Sequence, residues 1–168
     1  MLDVLQILTV LIVVFALIPA LAHVLELPGK RRLTREAYYS TQPIYYPGFA
    51  IAGFSEPIGI VLTIILLVFM PVGSVAFWLT LVALLGLIGM QAVYWLLTHP
   101  VNKFWLAGEE MSRAGARFFS LVSPARRGSH GKAAPVDWRV LRDRWEYSHV
   151  MRAALAIGSL IALIIAIW

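Results

Sequence analysis

The sequence predicts an all-α integral membrane protein: a four-transmembrane-helix bundle with cytoplasmic interfacial helices. Three observations predict it. The 168 residues are 60% hydrophobic and only 14% charged, more apolar than a soluble domain of this length requires. The apolar residues gather in four long runs, each suited to a membrane helix. All fourteen Lys and Arg residues fall within positions 30–35 and 103–152, after the first and third runs. A chain that crosses four times puts those two connections on one side, and a Lys/Arg excess marks the cytoplasmic side. The expectation is a multi-pass protein of the inner (plasma) membrane, one four-span domain over 1–168, with both termini extracytoplasmic.

A helical span needs about 20 apolar residues. The first is expected over 4–24, where nineteen uncharged residues separate Asp3 from His23. That run is too long for the apolar part of a cleaved signal, and its basic residues follow rather than precede it. Thr34 is placed to cap a short helix through Thr41, and Tyr38, Tyr39, Tyr45 and Tyr46 suit a membrane interface. The second span is expected over 47–70, with Pro57 freeing the carbonyl of Gly53. Pro71-Val72-Gly73-Ser74 makes a tight turn into a third span over 74–98. A basic insert over about 106–135 follows. Within it, 108–120 reads as an interfacial helix with Met111, Ala114 and Phe118 on one side, and 123–135, which holds His130, as a flexible stretch. Asp137 then caps a helix that continues into the fourth span, 147–168. On that helix Trp138, Leu141, Trp145, His149 and Arg152 share a face, and Arg139–Asp143 and Arg142–Glu146 are expected ion pairs. Ala153, Ala156, Gly158 and Ser159 permit close helix contact.

The chain has no cysteine, so disulfides and thiol redox chemistry are excluded. A net charge of +5 reads as topogenic and as attraction to anionic lipid headgroups, not as a nucleic-acid footprint. The expected partner is the lipid bilayer, with a larger membrane complex or a homo-oligomer left open. No repeat of the inverted-hairpin kind signals a transporter.

Topology gathers the chemistry-bearing residues. His23 and Glu26 lie at the inner end of span one, His99 and Asn102 at that of span three, and Glu146, His149 and Arg152 at that of span four. Glu56 lies deeper, about 13 Å past Pro47 in a core of about 30 Å. Gln91 reaches a similar depth and is its expected partner. An ionisable group there costs about 2.5–3.5 kcal/mol to insert, so it faces the bundle interior. His23-x-x-Glu26 and Glu146-x-x-His149 each place two metal-ligand types on one helix face. Carboxylate-bridged metal bundles use two Glu-x-x-His pairs and two further carboxylates, and only the second pair has that order. A metal among His23, His99, His149 and Glu146 is therefore the lesser reading, beside histidines bonded to neighbouring carboxylates. The sequence fixes no cofactor.

Several local patterns are familiar in combination. His23-Val24-Leu25-Glu26-Leu27-Pro28, Gln42 with Tyr45, Gln91 with Trp95, Pro100-Val101-Asn102 and Arg144-Trp145-Glu146-Tyr147-Ser148-His149 resemble the anthrone-oxygenase-like family of small four-span membrane proteins. The resemblance covers nearly the whole chain apart from the basic insert. It implies oxidation of anthrones to anthraquinones without an obvious cofactor, with Asn102, Trp145, His149 and Arg152 in contact with substrate.

The first functional expectation is an oxygenase or oxidoreductase acting on an aromatic, lipid-soluble substrate in a polar pocket at the cytoplasmic leaflet. His149 or His99 would remove a proton, Glu146 would orient that base, and Arg152 and Asn102 would stabilise the oxyanion. Trp145, His23, Glu26, Glu56, Gln91 and Trp95 would contact the substrate. The alternative is a non-enzymatic lipid-, quinone- or pigment-binding accessory subunit of a larger membrane complex. A proton-coupled transporter using Glu56 is a third.

Overall fold

A computed structural model of the chain describes residues 2–105 and 137–168. Among the described residues every regular element is helical. The helix expected over 108–120, the stretch 123–135 and His130 lie outside them.

Helix α1 (Leu2–Lys30) runs six residues past its expected end at 24, through Pro28. The missing N–H of Pro28 removes one intrahelical bond only, and Arg31 N resumes the ladder to Leu27 O at 3.1 Å. Helix α2 (Arg35–Thr41) begins where expected, with the Thr34 hydroxyl accepting from the Ala37 N–H. A 3₁₀ turn, Gln42–Tyr45, leads into α3 (Gly48–Gly53) and α4 (Ser55–Phe69). The expected continuous span over 47–70 is thus two helices that break at Phe54. Pro57 has no N–H for the Gly53 carbonyl, so α3 stops at Gly53 and α4 starts afresh at Ser55 with Pro57 in its first turn.

Gly73 turns the chain at φ +84°, a conformation open to glycine, and Ser74 N closes the turn on Pro71 O at 3.1 Å. The Ser74 hydroxyl caps α5 (Val75–Val93) by accepting from Phe77 N. A π-helical turn, Tyr94–Thr98, joins α5 to α6 (His99–Trp105). Pro100, just beyond the turn, offers no N–H to the Leu96 carbonyl. Arg144 of the last helix donates to that carbonyl instead, at 2.8 Å. Helix α7 (Trp138–Ile167) is capped by Asp137, which accepts from Arg139 N at 3.0 Å.

The long helices close a ring. α7 packs on α5 and α1, and α4 packs on α1 and α5. The core is layered along the bundle. Val13, Leu66, Leu87 and Leu163 fill one end, and Ala20, Met90, Ala153 and Ala156 the middle. Tyr38, Val101 and Trp145 pack at the other end, which carries Lys30–Arg35 and is here termed the basic end. In the middle α5 and α7 approach closely: a Cβ on Gly86 would strike the Ser159 hydroxyl and stand 3.3 Å from the Leu155 carbonyl. Gly158 points into open space and takes no part in that approach. Buried Thr9 and Thr63 satisfy their hydroxyls on the carbonyls of Leu5 and Gly59 of their own helices.

The outer faces are apolar, with Leu11, Phe15, Ile18, Val61, Val82, Leu85, Ile161 and Ile164 all exposed. Among the described residues, four helical stretches are long and apolar enough to cross a membrane: Leu2–Lys30, Gly48–Phe69, Val75–Asn102 and Trp138–Ile167.

Candidate functional site

Polar groups are buried at the basic end, and each helix spacing explains its share. His23, Glu26 and Lys30 follow at three and four residues, so α1 shows them on one face. Lys30 Nζ stands 2.8 Å from Glu26 Oε2, 2.7 Å from His23 Nδ1 and 3.6 Å from Glu146 Oε1. Trp145, His149 and Arg152 share the inward face of α7 by the same spacing, and all three are buried. The rings of His23 and His149 meet at 4.1 Å between centroids, and Trp145 lies 4.7 Å from the first and 4.4 Å from the second. Tyr45 and Phe49 wall the other side of His23 at 4.5 and 5.2 Å.

Further bonds tie this centre to α2, the 3₁₀ turn, α4, the π turn and α6. The Tyr38 hydroxyl donates to Glu146 Oε1 at 2.9 Å, and the Tyr45 hydroxyl to Glu26 Oε2 at 2.7 Å. The α2 and 3₁₀ segments are thereby strapped across the end of the bundle. Burial, and next the Glu146 carboxylate beside it, push the Tyr38 phenol up. Burial and the hydrogen bond to Glu26 do the same for Tyr45. Both therefore serve as neutral donors at physiological pH. Arg152 is bonded to Glu56 of α4 through Nη2, approaches His149 Nδ1 at 3.1 Å through Nη1, and lies over the Tyr94 ring at 5.3 Å. Trp145 Nε1 donates to Asn102 Oδ1 at 2.7 Å, and Thr98 meets Ser148 at 2.7 Å. Among the described residues His149 Nε2, Glu146 Oε2, Glu56 Oε2 and Arg152 Nε are buried without a hydrogen-bond partner.

Of the residues the sequence singled out, His23, Glu26, Glu56, Asn102, Trp145, Glu146, His149 and Arg152 are joined in this one network. His99 lies beside it, its ring 5.1 Å from Trp95 and 5.8 Å from Tyr94. Trp95 is 40% exposed, and Gln91 is half-buried. Three expected pairings are corrected. Glu56 is buried as expected, but its partner is Arg152 and not Gln91. A guanidinium compensates a buried carboxylate far better than an amide does. Arg142 bonds Asp143, at 2.8 Å, rather than Glu146. Glu146 faces inward and is engaged by Tyr38 and Lys30. The ring of His149 is accordingly oriented by Arg152 and not by Glu146.

Sequence reasoning missed Lys30, Tyr38, Tyr45, Phe49 and Tyr94 as parts of the centre. Lys30 carries a signal that could have found it, since it stands two helical turns from His23 on the same face. Its charge read equally well as topogenic. Among the described residues no group of three or more His, Asp or Glu is placed to hold a metal ion.

Comparison with protein-family models, curated proteins and solved structures finds no match to this chain. The family resemblance therefore rests on the residues quoted for it.

Proposed function

We propose that the chain is a membrane-embedded oxygenase- or oxidoreductase-like protein that acts on an aromatic, lipid-soluble substrate at its basic end. One observation carries this reading: ionisable side chains of α1, α4 and α7 are buried together against the rings of Trp145, Tyr45 and Phe49. Charged groups inside an apolar bundle are costly, and in membranes they mark substrate or ion sites. The same reading has the four long helices cross the bilayer, with the basic connections cytoplasmic and both termini outside.

The proposed chemistry starts with a proton. A flat substrate lying against Trp145 and the two imidazoles would meet donors and acceptors together. Glu146 Oε2 and Glu56 Oε2, without partners among the described residues, are the acceptors suited to a phenolic or carbon-bound proton. The N–H groups of Arg152 and His149 are suited to the oxyanion that results. Oxidation of such an anion by dioxygen is what the family resemblance implies.

The test is oxygen uptake by purified protein in detergent supplied with anthrone. Native protein should consume oxygen and yield anthraquinone above the rate of heat-unfolded protein, and His149→Ala and Trp145→Ala should lose the difference. Equal rates for native and unfolded protein would retire the enzymatic reading. Binding of anthrone without turnover would favour the quinone- or pigment-binding accessory subunit.

A further inference from the structure

Both buried imidazoles face a cation, and that fixes where their protons sit. Arg152 Nη1 stands 3.1 Å from His149 Nδ1. A guanidinium donates only, so Nδ1 accepts and the ring proton is on Nε2. Lys30, engaged by Glu26 at 2.8 Å, donates to His23 Nδ1 at 2.7 Å. Glu26 is 3.6 Å from the same nitrogen, too far to compete for a proton there. His23 therefore also carries its proton on Nε2. The side chain of His149 is almost wholly buried, and its Nε2 has no partner among the described residues. A buried donor left unmade loses its hydration with nothing in return. An incoming oxygen acceptor would recover that.

We propose that Lys30 and Arg152 are positioning residues that lock His23 and His149 in the Nε2–H tautomer. The imidazole pair then presents donors, and its ligand is a flat ring bearing an oxygen acceptor, a quinone carbonyl or a phenolate. The ligand class rests on the reading that an aromatic molecule occupies this site; the tautomer lock does not. The lock also assigns the proton-accepting role to a carboxylate, because neither imidazole keeps a free basic nitrogen.

Nitrogen-15 NMR of histidine-labelled protein at pH 7 tests the lock directly, because the two tautomers and the imidazolium have distinct signatures. Signals of His23 and His149 are assigned by their loss in His23→Phe and His149→Phe. Both should show Nε2–H with an unprotonated Nδ1. Lys30→Met should release His23 to a tautomer mixture, Arg152→Met should release His149, and Arg152→Lys should restore it. An imidazolium or an Nδ1–H signature at either ring in the unsubstituted protein would overturn the proposal, and that spectrum decides even where a variant fails to fold. Duroquinone and durene then test the ligand class on the same sample, as one ring with and without carbonyls. Duroquinone should shift the His149 Nε2 resonance and bind at least tenfold more tightly than durene. Equal binding overturns the ligand class alone. Binding of neither, with the tautomers intact, overturns the ligand class and counts against an aromatic site while the lock stands. Failure of oxygen uptake alone retires the enzymatic step and touches neither.

Discussion

At the scale of residues, the centre is held by partners that cannot be removed singly without leaving a buried charge. Glu56 and Arg152 pair across α4 and α7 with nearly all of both side chains buried. Breaking such a pair from one side costs about 3–5 kcal/mol, whereas removing both partners costs less. Glu56→Ala should therefore lower the detergent-unfolding midpoint sharply, and Glu56→Ala with Arg152→Met should recover part of the loss. Additive costs in the double variant would contradict the pairing. Tyr38 offers a pH test. Its phenol is raised above the ordinary value of about 10 by burial and by Glu146. The folded protein keeps that proton where the unfolded chain has lost it. The contribution of Tyr38 is thus complete below about pH 10 and falls as pH rises further. Unfolding midpoints between about pH 9 and 11 should fall more steeply for the unsubstituted protein than for Tyr38→Phe. Below that range Tyr38→Phe should cost about 1–3 kcal/mol, the loss of one buried donor to a carboxylate.

At the scale of elements, prolines and glycines decide the geometry. Pro57 breaks the second span at Phe54 and brings Glu56 into the first turn of α4, where Arg152 meets it. Pro100 leaves the Leu96 carbonyl free, and α7 answers with Arg144. The break at Pro57 was legible because a missing N–H has one local consequence. The bond from Arg144 to the Leu96 carbonyl was not, since its donor stands on a helix 48 residues away. Gly86 sets the spacing of α5 and α7. Gly86→Leu should lower stability by about 1–3 kcal/mol through overpacking. Gly158→Ala, which meets only open space, should leave the unfolding midpoint unchanged or raised. The reverse order in thermal scans would show that the helices do not approach at Gly86.

At the scale of the whole molecule, polarity is turned inside out: exposed faces are apolar, while His23, Glu56, Glu146, His149 and Arg152 lie inside. That distribution suits lipid as the surrounding medium. The proposed orientation, with the basic connections cytoplasmic, requires alkaline phosphatase fused after Trp168 to be active and a fusion at Lys132 to be inactive. Opposite activities would invert the orientation and move the site to the other leaflet.

Charge and hydropathy alone determined the four long apolar helices, because each span is a local composition about 20 residues long. The caps at Thr34 and Asp137 were equally local, one side chain reaching a backbone N–H two or three residues on. The convergence of His23, Glu146, His149 and Arg152 at one level also followed from the sequence, since topology and helical rise fix depth. Rotation about each helix axis was not fixed, and it selects the partners. Only the tertiary structure gave Glu56 to Arg152 instead of Gln91 and turned Lys30 inward onto His23. It also drew Tyr38 and Tyr45 from the interface onto Glu146 and Glu26. A buried charge takes the strongest opposite partner within reach, and which partner is within reach depends on how separate helices face one another.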